Sequence, residues 1–241
     1  LLSIENLEAR HGLLHAVRGV SFAAEEGEIL ALVGANGAGK TTLLRTIAGA
    51  HRASGGRIVF GGKDVTAVRA NARVHLGIAL VPEGRRLFGD MTVEENLIVA
   101  GANGRKGRWN LETVLAAFPV LRENLKRRSG DLSGGQQQAT AIGRALMTNP
   151  SVLLLDEVSL GLSPVAVSTV YESLQTVIAE GSTTIVLVEQ DLSRVLRIAT
   201  RIACMLEGRL VLEGKAAELT REAVTEAYFG LRRADVGGAH A

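Results

Sequence analysis

Apolar residues fall in short, almost uninterrupted runs at Ile78–Val81, Val152–Leu155 and Thr183–Val188, with a further run over Glu28–Val33. Runs of this kind predict strands buried on both faces, as in a parallel sheet. Helical spacing fills the intervals, for example Thr41–Ala48 and Pro164–Ala179. Strand alternating with helix predicts an α/β architecture with a mostly parallel sheet. Near the N-terminus the runs are shorter and separated by turns. Leu2–Leu7, Val17–Ala23 and Arg57–Phe60 predict a small antiparallel unit. Between Arg85 and Met147 no buried strand is legible. Helices over Val93–Ala100, Leu111–Phe118 and Gln136–Met147 predict a helical insertion there. The tail from Leu231, rich in Gly and Ala, is expected to fray.

A chain of 241 residues with 46% hydrophobic residues can bury a core without staples. Lysine and arginine nearly balance the acids, for a net charge of +2, so charge alone points to no nucleic-acid partner. The single cysteine, Cys204, excludes an internal disulfide and fits a reduced compartment, where it reads as a small buried hydrophobe. No run is long enough to cross a bilayer, and the N-terminal residues lack the layout of a signal peptide. Work at a membrane would therefore go through a partner. His15, His51, His75 and His240 show no metal-ligand spacing. Lys126-Arg127-Arg128 reads as a solvated charged face. Trp109 has no functional reading.

The sequence Gly34-Ala35-Asn36-Gly37-Ala38-Gly39-Lys40-Thr41 matches G-x-x-x-x-G-K-[ST] between a predicted strand and a predicted helix. Its glycines let consecutive N–H groups converge on phosphate oxygens, and the helix N-terminus adds positive field. Lys40 would reach the β- and γ-phosphates, and the Thr41 hydroxyl would ligate Mg²⁺, with Thr42 following. A chance match arises in on the order of one chain in a hundred of this size. The motif therefore indicates a nucleoside triphosphate without choosing a class of ATPase.

The run Val152–Leu155 ends in Asp156-Glu157, at the strand end where ligands bind in parallel sheets. Asp156 would hold Mg²⁺ and Glu157 would polarise the attacking water. Alone, such an acidic end serves equally as a cap. A second anion site is offered by Leu132-Ser133-Gly134-Gly135-Gln136, a hydroxyl and two glycines opening a helix, although an ordinary N-cap reads the same way.

That last stretch resembles the LSGGQ signature of the ABC ATPase family, and the resemblance covers nearly the whole chain. It implies an α/β fold with a P-loop NTPase, RecA-like core over 1–84 and 148–241 that includes an N-terminal antiparallel β subdomain. An inserted α-helical subdomain over 85–147 would carry the signature, the whole forming one ABC ATPase domain. It further implies ATP and Mg²⁺ as ligands. Two chains would pair so that each signature, Ser133 to Gln136 here, closes over the nucleotide on the partner's phosphate loop. Glu83 stands at the Q-loop glutamine, which links Mg²⁺ and γ-phosphate to the helical insertion. His11 stands at the adenine-stacking aromatic, and Gln190 at the switch histidine. Ser159-Leu160-Gly161-Leu162 occupies the D-loop without its usual aspartate.

Pro82-Glu83-Gly84-Arg85-Arg86 and Val188-Glu189-Gln190 are similar to the shorter ATPase of bacterial branched-chain amino acid importers. That family implies a second, different ATPase, integral-membrane permease subunits, a periplasmic binding protein acting indirectly, and a place at the cytoplasmic face of the inner membrane. Arg85-Arg86, directly after the Q-loop position, are expected to be functional. Glu83 and Thr92–Leu97 are expected to border the permease groove. Two alternatives stand beside this: a urea or short-amide importer, and a soluble ABC protein acting on nucleic acid or ribosomes.

Overall fold

The protein was analysed as a computed structural model, which describes residues 1–231. The predicted fraying tail beyond Leu231, with His240, lies outside the described residues. An antiparallel sheet holds β1 (Leu2–His11), β2 (Leu14–Ala24), β4 (Ala53–Phe60) and β5 (Lys63–Asp64), in the order β2-β1-β4-β5. The second sheet has six strands, β10-β9-β3-β8-β7-β6. Here β3 is Ile29–Val33, β6 Ile78–Val81, β7 Val152–Asp156, β8 Thr184–Val188, β9 Arg201–Leu206 and β10 Arg209–Lys215. All its pairings are parallel except β9 with β10. Every residue of β3, β7 and β8 is buried, whereas β10 alternates exposed and half-buried positions at the sheet edge. The continuous runs thus became β3, β7, β8 and the far edge strand β6, whereas the interior strand β9 and the alternating edge strand β10 escaped the sequence reading.

Register then does the positioning. Leu32 of β3 and Asp156 of β7 both pair with Val188 of β8, so three strands end on one line. The turns that leave this line carry Gly34, Glu157 and Gln190. Helices α1 (Lys40–Ile47) and α7 (Pro164–Ala179) follow two of these turns. Helices α3 (Val93–Ala102), α4 (Leu111–Ala117), α5 (Pro119–Glu123) and α6 (Gly134–Leu146) pack together around Leu97, Val114, Leu121 and Ile142. Helix α6 begins at Gly134, two residues earlier than expected, because Ser133 and Gln136 form a reciprocal capping box. Trp109 proves structural: it is buried, its backbone N–H donates to Asn149 Oδ1 at 2.7 Å, and Asn149 Nδ2 donates back to its carbonyl at 2.8 Å. Cys204 is buried as expected, and burial pushes its thiol up to about 11.

One buried cation joins the end of α1 to the segment after β5. Arg73, on α2 (Ala70–Leu76), is 2% exposed. Its guanidinium donates to the carbonyls of Thr46 (2.8 Å) and Ile47 (2.6 Å), at the end of α1. It also reaches Thr66 (2.8 Å) and Val68 (2.9 Å), beyond β5. It thereby satisfies carbonyls that the helix end leaves orphaned. Arg73→Met keeps the apolar stem and strips these donors. Unsatisfied buried acceptors should then cost about 3 kcal/mol of stability. Urea unfolding checks this, and an unchanged midpoint would mean that water replaces the guanidinium at no cost.

Candidate active site

The chain leaves β3 through Gly34 and winds back into α1 at Gly39. Both glycines have positive φ, 148° and 97°. A Cβ on Gly34 would lie 2.2 Å from the Met205 carbonyl, and one on Gly39 would lie 2.2 Å from that of Ala16. No side chain fits either place, so the loop can wind this tightly only on glycine. Above it opens a cleft of about 210 Å³ lined by His11, Leu14, Ala16, Asn36, Gly37, Gly39, Lys40, Thr41, Thr42 and Glu157. Ala38 is buried beneath it and its N–H closes a turn onto Ala35 O at 3.1 Å.

Lys40, the first residue of α1, does not face solvent; it is 4% exposed. Its Nζ donates to the carbonyls of Gly34 (2.7 Å) and Ala35 (3.0 Å), which closes the loop around the ammonium. Burial lowers its pKa, opposed by the charges of Glu157 and Asp156. An ammonium has three donors, so one remains for a ligand in the cleft. Thr41 Oγ1 donates to Asp156 Oδ1 at 2.9 Å and ties helix α1 to the end of β7. The other oxygen, Asp156 Oδ2, is buried without a hydrogen-bond partner. A hydroxyl and an orphaned carboxylate oxygen beside a phosphate cradle suit Mg²⁺, which takes one or two protein ligands plus phosphates and water.

Glu157 follows in the left-handed region at φ 49°, and its N–H donates to Val188 O at 3.2 Å. Gln190, after β8, reaches back to the loop: its Nε2 donates to Asn36 Oδ1 at 3.1 Å. His11 closes β1 with Nε2 at 3.1 Å from Thr42 Oγ1, and its ring lies 4.4 Å from that of His51. This second histidine was not anticipated, because the pairing of β1 with β4 brings together residues distant in sequence. Glu83 sits exposed in the turn after β6, near enough that its charge helps raise Asp156.

Ser133, Gly134, Gly135 and Gln136 do not line this cleft. They form a separate edge at the start of α6, packed against α7, where a Cβ on Gly135 would lie 2.8 Å from Ala166 Cβ. The Ser133 hydroxyl accepts from Gln136 N–H at 3.4 Å and so keeps its own proton to donate. The capping reading and the anion-site reading are therefore compatible. Arg85, with φ 64°, donates to Gln137 Oε1 at 2.9 Å and so connects the turn after Glu83 to this helix.

The profile of the ABC transporter family matches residues 17–159. The high-affinity branched-chain amino acid transport ATP-binding protein BraG of Pseudomonas aeruginosa is 41% identical, over 95% of this chain and 100% of its own length. The probable branched-chain amino acid transport ATP-binding protein LivF of Archaeoglobus fulgidus is 34% identical, over 91% of this chain and 94% of its own. A crystal structure of the ADP conformation of an ATP-binding cassette of an ABC transporter superposes with a TM-score of 0.76. It is 29% identical and spans 95% of this chain and 94% of its own.

Burial raises the Asp156 pKa, and Glu157 and Glu83 add to the rise, while the Thr41 hydrogen bond opposes it. The folded state therefore binds this proton more tightly than the unfolded chain. Stability gained by protonation appears as pH falls below the folded pKa, and at neutral pH the ionised carboxylate is a cost. Asp156→Asn should raise the melting temperature of the nucleotide-free protein at pH 7 by a few degrees while abolishing ATP turnover. The gain should shrink as pH is lowered through the Asp156 titration. A melting temperature below wild type at pH 7 would contradict this account.

Proposed function

The chain belongs to the ABC transporter family, whose ATP-binding subunits hydrolyse ATP to power transport, and on that footing we propose that it drives a branched-chain amino acid importer. The supporting observation is full-length similarity to BraG together with the shape of the site: one chain carries two anion-binding helix starts that do not meet. A second ATPase would complete each cleft by bringing its own signature over the first chain's phosphate loop. We place the working form in a heterodimer with a related ATPase, with the homodimer available in isolation. It would sit at the cytoplasmic face of the inner membrane, beneath permease subunits supplied by a periplasmic binding protein. Among the described residues no helix is long and apolar enough to cross a membrane, which is consistent with attachment through those subunits.

In this reading His11 stacks on adenine, backbone N–H groups from Gly34 to Thr42 surround the phosphates, and the free donor of Lys40 meets the β/γ oxygens. Thr41 and Asp156, with Glu83 at the rim, would hold Mg²⁺, which neutralises phosphate charge when bound. Glu157 accepts a proton from the attacking water. Gln190 offers one amide N–H toward the γ-phosphate, and it is neutral at every pH. Residues 85–147 act as a unit that carries the signature of Ser133, Gly134, Gly135 and Gln136 toward the partner's nucleotide. A groove of about 330 Å³ runs between Val74, Leu80, Arg86, Phe88, Val99 and Arg144; neither Glu83 nor Thr92–Leu97, expected at its border, is among the residues that line it. With Phe88 52% exposed, it fits an apolar helix end of a permease subunit.

Glu157→Gln keeps shape and removes the base, so turnover should fall by about 10²–10⁴. Mg-ATP should then accumulate the paired form, read as mass in solution with the cognate ATPase present. Wild-type turnover in this variant would remove Glu157 from the role of base, and an unchanged mass would remove the sandwich. Phe88→Glu should lower transport in the reconstituted system by at least about tenfold with basal ATPase kept, since the groove lies apart from the cleft. Parallel loss of both activities would instead mean misfolding.

A further inference from the structure

Immediately before Gln190 stands a carboxylate that the hydrolytic machinery described above does not use. Glu189 is 2% exposed. Its Oε1 accepts from the backbone N–H groups of Gln190 (2.9 Å) and Asp191 (3.2 Å). Its Oε2 accepts from Ser159 Oγ at 2.8 Å and from the Tyr171 hydroxyl. The Arg194 guanidinium lies 3.4 Å away on the same side and also covers the Tyr171 ring at 4.9 Å. Burial, then the neighbouring Glu189 charge, push the Tyr171 phenol up, so it stays a donor.

These partners come from four places: the turn after β7, helix α7, the turn after β8, and α8 (Leu192–Ile198). Ser159 is two residues after Glu157, and Gln190 is one residue after Glu189. A single buried carboxylate thus fixes both turns relative to each other, beside the hydrogen bond from Glu157 N–H to Val188 O. Only an ionised carboxylate can accept from so many donors at once, and charge-assisted bonds of this kind are the stronger ones. An amide there would turn its NH₂ against donors.

We infer that Glu189 is a positioning residue for ATP hydrolysis, holding the turn that carries Glu157 and the turn that carries Gln190 in one geometry through Ser159 and the Gln190 N–H. It contacts no nucleotide and acts only through these turns. Displacing a catalytic group by a fraction of its reach costs rate, not ground-state binding, which the phosphate loop supplies independently. The inference rests on the roles proposed for Glu157 and Gln190.

The test uses the purified full-length chain with Mg-ATP. We would measure kcat and KM for wild type, Ser159→Ala, Ser159→Thr, Glu189→Gln and the double variant Ser159→Ala/Glu189→Gln, with Glu157→Gln as control. Ser159→Ala should lower kcat by about tenfold with KM within about twofold. Ser159→Thr, which keeps the hydroxyl, should rescue kcat. The double variant should be no slower than Glu189→Gln alone, because both changes break one unit. If Glu189→Gln does not fold, the Ser159 pair decides alone. Wild-type kcat in Ser159→Ala, no rescue by threonine, additive losses, or KM rising in step with the loss of kcat would each overturn the inference. If Glu157→Gln is inactive while one of these outcomes occurs, only the role of Glu189 fails. An active Glu157→Gln would instead overturn the underlying assignment of the base.

Discussion

Everything in this site depends on three buried parallel strands ending on one line. β3, β7 and β8 are buried along their whole length, and from Ile29 to Val33, Val152 to Leu155 and Ile185 to Val188 every side chain is apolar. The polar chemistry is therefore pushed to the carboxyl edge, where Gly34, Asp156 and Glu189 are the first residues able to carry it. Parallel pairing keeps that edge level, because Leu32 and Asp156 share the partner Val188. The geometry of the cleft follows from register before any functional side chain makes a contact.

A buried edge makes each charge expensive, and the structure answers with dense local pairing. Lys40 is wrapped by the carbonyls of its own loop, Asp156 is bound on one oxygen by Thr41, and Glu189 is saturated by donors. The exception is Asp156 Oδ2, left without a partner in the interior. Such an atom costs stability and offers binding energy to a cation. This is the trade expected of a site whose ligand completes it: the fold gives up stability at Asp156 that the bound state recovers.

The strands β3, β6, β7 and β8 were legible because burial on both faces leaves a continuous apolar run, and Ile78–Val81 and Pro164–Ala179 coincide with β6 and α7 to the residue; the equally buried β9 was missed. The phosphate loop was legible because its constraints are local, consisting of glycines at positive φ and a helix start. What escaped is non-local. The strand β10 shows only edge alternation, and the short α5 sits behind Pro119. Only the fold shows that the carbonyls of its own loop enclose Lys40. Asn149 as clamp of Trp109, Arg73 as bridge from the end of α1 to the segment after β5 and Glu189 as a shared acceptor all join residues far apart in the chain. Single side chains meeting distant backbone leave no periodic signal.

The same non-local bonding ties the groove to the signature. Phe88 borders the groove and lies 5.6 Å beneath the Arg144 guanidinium. Arg144, on α6, donates to the Arg85 carbonyl at 3.2 Å, and Arg85 in turn holds Gln137, three residues beyond Gly134. Arg85 and Arg86 both sit at positive φ, 64° and 50°, where residues with a Cβ are strained. The Arg144 contact at Phe88 and the Gln137 contact near the start of α6 thus both bear on that same segment, which is how the groove and the signature come to share one strained turn.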